Sequence, residues 1–278
     1  MTLPNWAIRA VAEYRVARSL ALLFDYDGTL TPIVAHPSNA TLPSATREAL
    51  EAAAALNGVE VGIVSGRALA ELKNLIGLPG LWYAGSGGMH LDLGGEELVD
   101  AALAGFDNIA DTLIGAIAEL IRRFPGSWVE QKPGCLTAHY RALTPLKAAC
   151  FVAEVRDTLA GLGSSCPPLR VMEVDRGLEV ALAGSWTKGE AVDRILDAWG
   201  CDPFVVYAGN AANDEVAMVR VNARGGTTIR IGHEAPAVAQ AWVATPQEFT
   251  ADLVGLTAEL ALTVRHRSRT SLHSVYSA

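Results

Sequence analysis

The sequence is short of the features that would point to a large partner. It has no Lys/Arg-rich block: 22 basic residues stand against 30 acidic ones in 278, for a formal charge of −8. That balance argues against a nucleic-acid partner. No run approaches the ~18 apolar residues of a membrane span. The apolar run nearest the N-terminus, Leu20–Phe24, follows Arg15 and Arg18 and stops at Asp25. It is too short for the apolar region of a secretory leader, and no small-residue cleavage site follows it. Cysteine is scarce, and Cys135, Cys150, Cys166 and Cys201 show no metal-ligand spacing. Free thiols in a reduced, cytoplasmic protein are therefore expected. Aromatics make up only 6%, while 50% of the chain is hydrophobic. That is ample apolar material for one large or two modest domains.

The chain is organised around residues 20–32, LALLFDYDGTLTP. A short apolar run of this kind reads as a strand buried on both faces of a parallel sheet. Asp25 and Asp27 follow it at a spacing of two, which on a strand turns both carboxylates to one side. Their repulsion calls for a bound cation or a shared proton. Gly28 allows a sharp turn that brings backbone N–H groups toward an anion.

Further strand ends carry polar groups. Residues 59–64, VEVGIV, form a second buried strand ending in Ser65-Gly66-Arg67. A hydroxyl between a strand end and a helix start suits a phosphate, although such a serine also serves as a plain helix cap. Thr187 and Glu190 make a capping box that opens a helix, with Lys188 in its first turn. A cation there is unfavourable for the helix and useful only beside an anion, and a solvated surface lysine is the other reading. Residues 204–208 form another buried strand, ending in the polar loop Gly209-Asn210-Ala211-Ala212-Asn213-Asp214-Glu215. Open α/β sheets bind ligands at such carboxyl ends.

Between residues 92 and 182 the texture changes. A long helix over about 105–124, followed by strand, strand, helix, strand, strand, reads as an α+β insert, and the alternation in 136–141 places Thr137, His139 and Arg141 on one face. The expected organisation is an α/β core domain from 1–91 and 183–264, an inserted domain from 92–182, and a flexible tail from 265–278. The parts together suit phosphoryl transfer. A carboxylate serves as nucleophile, a second acid moves the proton, Mg2+ takes hard oxygens, and Lys and Ser hold the phosphoryl oxygens.

The order DYDGT, SGR, a helix-opening Lys and GNAANDE resembles the haloacid dehalogenase (HAD) superfamily. FDYDGTLTPIV, IVSGR, VEQKPGCLTAHYR, WTKGEA and GNAANDE are similar, more narrowly, to the trehalose-6-phosphate phosphatase family. The resemblance implies a HAD-like Rossmannoid core of parallel sheet with an inserted α+β cap. It implies Asp25 as nucleophile and Asp27 as general acid/base, with Ser65 and Lys188 on the phosphoryl group. Mg2+ would be held by Asp25, the Asp27 carbonyl and position 210, with Asp214 behind them. Glu130, Lys132, His139 and Arg141 would face the sugar, Glu179 would sit near the hinge, and Gly28 and Arg67 would lie beside the substrate. The implied activity is hydrolysis of trehalose 6-phosphate by a cytoplasmic monomer whose only partner is a small phosphorylated sugar.

Three departures from the family's pattern stand out. Asn210 and Ala211 occupy the places of two acids, which removes charge from the metal site and predicts weaker Mg2+ binding. Gly87 and His90 replace a His and a Glu of a G-S-H-G-x-E motif. Val180-Ala181-Leu182-Ala183 lacks the usual proline. Two alternatives therefore stay open. One is a phosphatase of another glycosyl phosphate, such as glucosylglycerol phosphate or a phosphorylated pseudo-disaccharide. The other is a non-catalytic sugar-phosphate binding module.

Overall fold

The computed structural model describes residues 2–34, 39–174, 176–232 and 238–275, with side chains to residue 265. Pro37 and Asp175 lie outside the described residues. The chain folds around two sheets. The larger runs β12 (Ala241–Val243), β11 (Thr227–Ile231), β10 (Phe204–Gly209), β1 (Leu20–Phe24), β2 (Val59–Val64), β3 (Trp82–Gly85), β4 (His90–Asp92) and β5 (Glu97–Val99). The first six are parallel, while β4 and β5 add an antiparallel hairpin at one edge.

All five residues of β1 are buried, and they alternate between two cores. Leu20, Leu22 and Phe24 face the layer of α1 (Asn5–Ala17), α2 (Ser44–Ala54), α3 (Leu69–Ile76) and α9 (Pro246–Val275). Ala21 and Leu23 face α7 (Lys188–Trp199) and α8 (Glu215–Ala223). This two-sided burial is why the strand reads as a continuous apolar run. Its central place, between β10 and β2, brings the residue after Phe24 to the middle of the sheet's carboxyl edge.

The second sheet is antiparallel, in the order β6 (Trp128–Lys132), β7 (Cys135–His139), β9 (Gly177–Leu182) and β8 (Leu169–Val174). One face carries Leu136, Ala138, Leu178 and Val180. It packs on Phe106 of α4 (Ala101–Asp107), on Leu113 and Ile117 of α5 (Ala110–Arg123), and on Phe151 and Val155 of α6 (Pro145–Gly161). Among the described residues no single helix is long and apolar enough to cross a membrane. α4 and α5 together have the length and composition, but they are bent by 52° and bury their apolar faces in this core.

Three expectations need correction. The first sheet continues through Val99, so a boundary at residue 92 cuts its terminal hairpin. β4 belongs there because it pairs with β3, and β5 because it pairs in turn with β4. The long helix expected over 105–124 is two helices with a break at Asn108 and Ile109. The tail from 265 is helical as far as Val275, since no Pro or Gly interrupts 265–275.

Candidate active site

The turn after β1 is built by backbone bonds to one oxygen. The Tyr26 carbonyl accepts from the N–H groups of Thr29, Leu30 and Thr31 at 3.3, 3.0 and 3.1 Å. Gly28 sits at φ +85°, and a Cβ there would stand 2.2 Å from Nδ2 of Asn210. Only glycine lets this turn meet the loop after β10. Its own N–H, expected to reach toward an anion, donates instead to the Thr31 carbonyl at 2.8 Å. Gly28 therefore contributes space rather than a donor.

Asp25 and Lys188 meet under the turn. Lys188 Nζ lies 2.6 Å from Asp25 Oδ1 and 2.7 Å from Asp214 Oδ1. The lysine is 3% exposed, which removes the reading of a solvated surface residue. α7 projects it inward because Thr187 and Glu190 form the capping box read from the sequence. Burial works against its charge, but Asp214 and Asp25 outweigh it and hold the ammonium above the usual lysine range. Burial pushes the Asp25 carboxyl up to about 7, against the pull of Lys188. Asp214 has both oxygens filled. Oδ1 also accepts from Tyr207 Oη at 2.7 Å, and Oδ2 accepts from the N–H groups of Asn210 and Ala211 at 3.0 and 2.8 Å. It stands behind Asp25 and positions Lys188.

The two aspartates do not lean into one pocket. β1 ends at Phe24, so strand alternation no longer governs residue 27. The Asp27 carboxylate turns to Arg67, which grips it through Nε and Nη2 at 2.7 and 2.8 Å. Arg67 is also paired with Glu71, one helical turn on. Ser65 is buried, and its Oγ accepts from the Arg67 N–H at 3.2 Å. Its own O–H can still donate.

Asn210 closes the cluster. One terminal atom of its amide lies 2.9 Å from both the Asp27 carbonyl oxygen and Asp25 Oδ2. The Thr29 hydroxyl is 3.3 Å from that Asp25 oxygen and 3.4 Å from the same amide atom. If the atom is nitrogen, it donates to both oxygens. If it is oxygen, three acceptors converge and need a cation between them. Mg2+ holds its ligands at about 2.0–2.1 Å in an octahedron, which places neighbouring ligands about 2.9 Å apart. Among the described residues no three His, Cys, Asp or Glu side chains are grouped to hold a metal. One carboxylate, one carbonyl and one amide nevertheless form a donor set that fits Mg2+, which retains several waters.

The open face of the second sheet carries the other expected residues. The register places Glu130, Thr137 and Glu179 in one row across β6, β7 and β9, with Trp128, His139 and Gly177 in the next. Glu130 Oε2 lies 2.9 Å from His139 Nε2 and 3.1 Å from Lys132 Nζ. The His139 hydrogen bond holds the Glu130 carboxyl down at about 2. Arg141 departs from its expectation. β7 ends at His139, because the partner strands begin opposite that residue, and Arg141 lies in an exposed turn. This sheet meets the first at the carboxyl edge: Gly134, between β6 and β7, packs on Met89, and β8 packs on the turn Ala212–Asp214.

Sequence reasoning missed four residues. Trp128 stacks on His139 with ring centroids 4.0 Å apart. Tyr207 holds Asp214. Arg230 donates to the Ala211 carbonyl at 3.1 Å. Asp100 caps α4 through Ala102 N–H at 3.0 Å and also accepts the Trp186 N–H at 2.6 Å, which ties together the two strands of chain that join the sheets. Only the capping position of Asp100 has a local signal; the other three depend on contacts between distant segments.

A family model described as "Trehalose-phosphatase" matches residues 23–244. The chain is 35% identical over 224 residues to a trehalose-phosphate phosphatase of Mycobacterium tuberculosis, covering 77% of this chain and 54% of that one. It spans between 54% and 63% of the length of the first curated relatives it matches. Among solved structures, the C-terminal domain of Candida albicans trehalose-6-phosphate phosphatase superimposes with a TM-score of 0.79 at 22% identity, covering 93% and 98% of the two chains. A HAD subclass IIB sugar phosphatase superimposes at 0.53 with 18% identity, covering 84% and 96%. The HAD-like α/β fold expected from the sequence is the fold these structures share.

Proposed function

This chain belongs to the trehalose-phosphatase family, and from that premise we propose that it is a Mg2+-dependent phosphatase that hydrolyses trehalose 6-phosphate to trehalose and phosphate. One observation carries the reading. Asp25, buried after the central strand, has Lys188 on one oxygen, while its other oxygen and the Asp27 carbonyl both lie 2.9 Å from one terminal atom of the Asn210 amide, a spacing that suits Mg2+. A phosphoryl group drawn there meets a nucleophile and positive charge together.

The Asp25 carboxylate attacks phosphorus, and the bond to the sugar oxygen breaks. Asp27 gives that oxygen its proton, and then takes one from the water that opens the aspartyl-phosphate. To do so its carboxylate must leave Arg67. Lys188 and the Ser65 hydroxyl hold the phosphoryl oxygens, and Asp214 keeps Lys188 in place. When bound, Mg2+ would be held by Asp25, the Asp27 carbonyl and Asn210, and would neutralise charge on the phosphoryl group.

In this reading residues from about 100 to 184 form a cap whose open face meets the sugar through Glu130, Lys132, His139 and Glu179, with Arg141 at the rim. The acidic chain, at −8, is taken as a cytoplasmic monomer with no nucleic-acid or membrane partner. A second reading, a phosphatase of another glycosyl phosphate, is favoured by one observation. Gly87 faces open space, and His90, at the place of the family's acid, is paired with Glu97 at 3.1 Å.

The test is phosphate release from trehalose 6-phosphate across a Mg2+ titration, beside Asp25→Asn. Release that requires Mg2+ and vanishes in the variant is expected. Release that persists in Asp25→Asn overturns the assignment of the nucleophile. No release at any Mg2+ level, with release from another sugar phosphate, establishes the second reading.

A further inference from the structure

The geometry around Asn210 points to a side chain that serves the site in two opposite orientations. We propose that Asn210 is a metal-responsive ligand. With Mg2+ bound, its Oδ1 faces the ion beside Asp25 Oδ2 and the Asp27 carbonyl. Without Mg2+, the amide turns over and its Nδ2 donates to those same two oxygens. The inference rests on the Mg2+ reading above.

The physical argument is one of matched positions. A single atom site lies 2.9 Å from both acceptors. That distance is ordinary for an N–H···O bond and also for two oxygens sharing an octahedral Mg2+. Asparagine offers a donor and an acceptor of nearly the same size on one planar group, so turning it over exchanges them without moving the chain. The backbone on both sides is held: the Asn210 and Ala211 N–H groups donate to Asp214 Oδ2, and the Ala211 carbonyl accepts from Arg230. With that backbone fixed, the Asn210 amide can turn without moving the chain.

An aspartate at 210 would have no donor to offer. In the metal-free protein it would place a carboxylate 2.9 Å from Asp25 Oδ2 and from a carbonyl, with Lys188 already shared between Asp25 and Asp214. The asparagine thus keeps the empty site free of that repulsion, and Mg2+ must displace two hydrogen bonds to enter. The expected result is a metal-free protein that is stable but binds Mg2+ weakly.

The test compares the wild type with Asn210→Asp by calorimetric Mg2+ titration and by melting in EDTA. Asn210→Asp is expected to bind Mg2+ at least ~10-fold more tightly, to melt lower in EDTA and to gain more on adding Mg2+. Equal melting in EDTA, or an unchanged Mg2+ affinity, overturns the proposal. The side-chain NH2 resonances of wild-type Asn210, identified by their loss in the variant, supply a readout that does not depend on the variant's stability. They are expected to shift along the calorimetric binding curve and to lose their protection from solvent exchange. If Mg2+ binds and they do not move, the inversion is wrong while the metal site stands. If no Mg2+ binds to the wild type, the metal reading itself fails and the inversion fails with it.

Discussion

Replacing Lys188 by methionine tests the electrostatics of the site. The lysine is 3% exposed and lies 2.6 and 2.7 Å from two carboxylates, themselves 6% and 0% exposed. Methionine fills similar volume but leaves both acids without their cation. Removing one partner of a buried ion pair costs about 3–5 kcal/mol, and Asp25 can soften the loss by taking up a proton. In the wild type burial already pushes its carboxyl up to about 7, and without the ammonium that value rises further. The unfolded carboxyl titrates near the usual value of about 3.9. Between the two values the folded state holds the proton and the unfolded state has released it, so stability falls as pH rises. In the wild type that fall ends near pH 7. In Lys188→Met it continues at about 1.4 kcal/mol per pH unit. The loss relative to wild type should therefore be roughly 3 kcal/mol at pH 6 and roughly 5 at pH 8.5. Urea midpoints in EDTA at the two pH values measure it. A loss below ~1 kcal/mol, or one equal at both pH values, would refute the reasoning.

Other substitutions probe other parts. Gly28→Ala forces a Cβ to within 2.2 Å of Asn210 Nδ2 at φ +85°; phosphatase activity should fall at least ~100-fold, about 2.7 kcal/mol, and wild-type turnover would show that the turn adapts. Glu130→Gln should raise KM for trehalose 6-phosphate while leaving hydrolysis of a small aryl phosphate intact, and a kcat loss on both substrates would count against a sugar contact. Because the His139 hydrogen bond holds the Glu130 carboxyl near 2, the hydrogen-bonded carboxylate stabilises above pH ~4.5 and that contribution is lost as pH falls toward 2. The stability gap between wild type and Glu130→Gln, about 1–2 kcal/mol after screening, should close over that range in acid denaturation curves. Asp100→Ala removes acceptors from Ala102 and Trp186 and should cost about 1–3 kcal/mol with faster amide exchange at Trp186; unchanged exchange there would show that the tie is not needed.

What the sequence by itself determined lies in contiguous runs. The all-apolar 20–24 reads as a strand buried on both faces, and the capping box at Thr187 opens α7 at Lys188, because such signals act within four or five residues. Ser65, Asp25 and the loop after Gly209 could be placed at strand ends for the same reason, and the resemblance of their order to a known family carried the class of chemistry. Only the tertiary structure decided where each charge goes. Nothing near Asp27 in the chain says that Arg67, forty residues on, takes its carboxylate away from Asp25. Nothing near Lys188 says that it is shared with an aspartate at 214 that Tyr207 and two backbone N–H groups hold. β7 stopped at His139, leaving Arg141 in a turn, because strand length is set by the partners alongside. Local structure follows from short-range sterics and hydrogen bonds that the sequence spells out. The pairing of buried charges follows from which strand ends the fold brings within 3 Å, and that is settled only when the sheet closes.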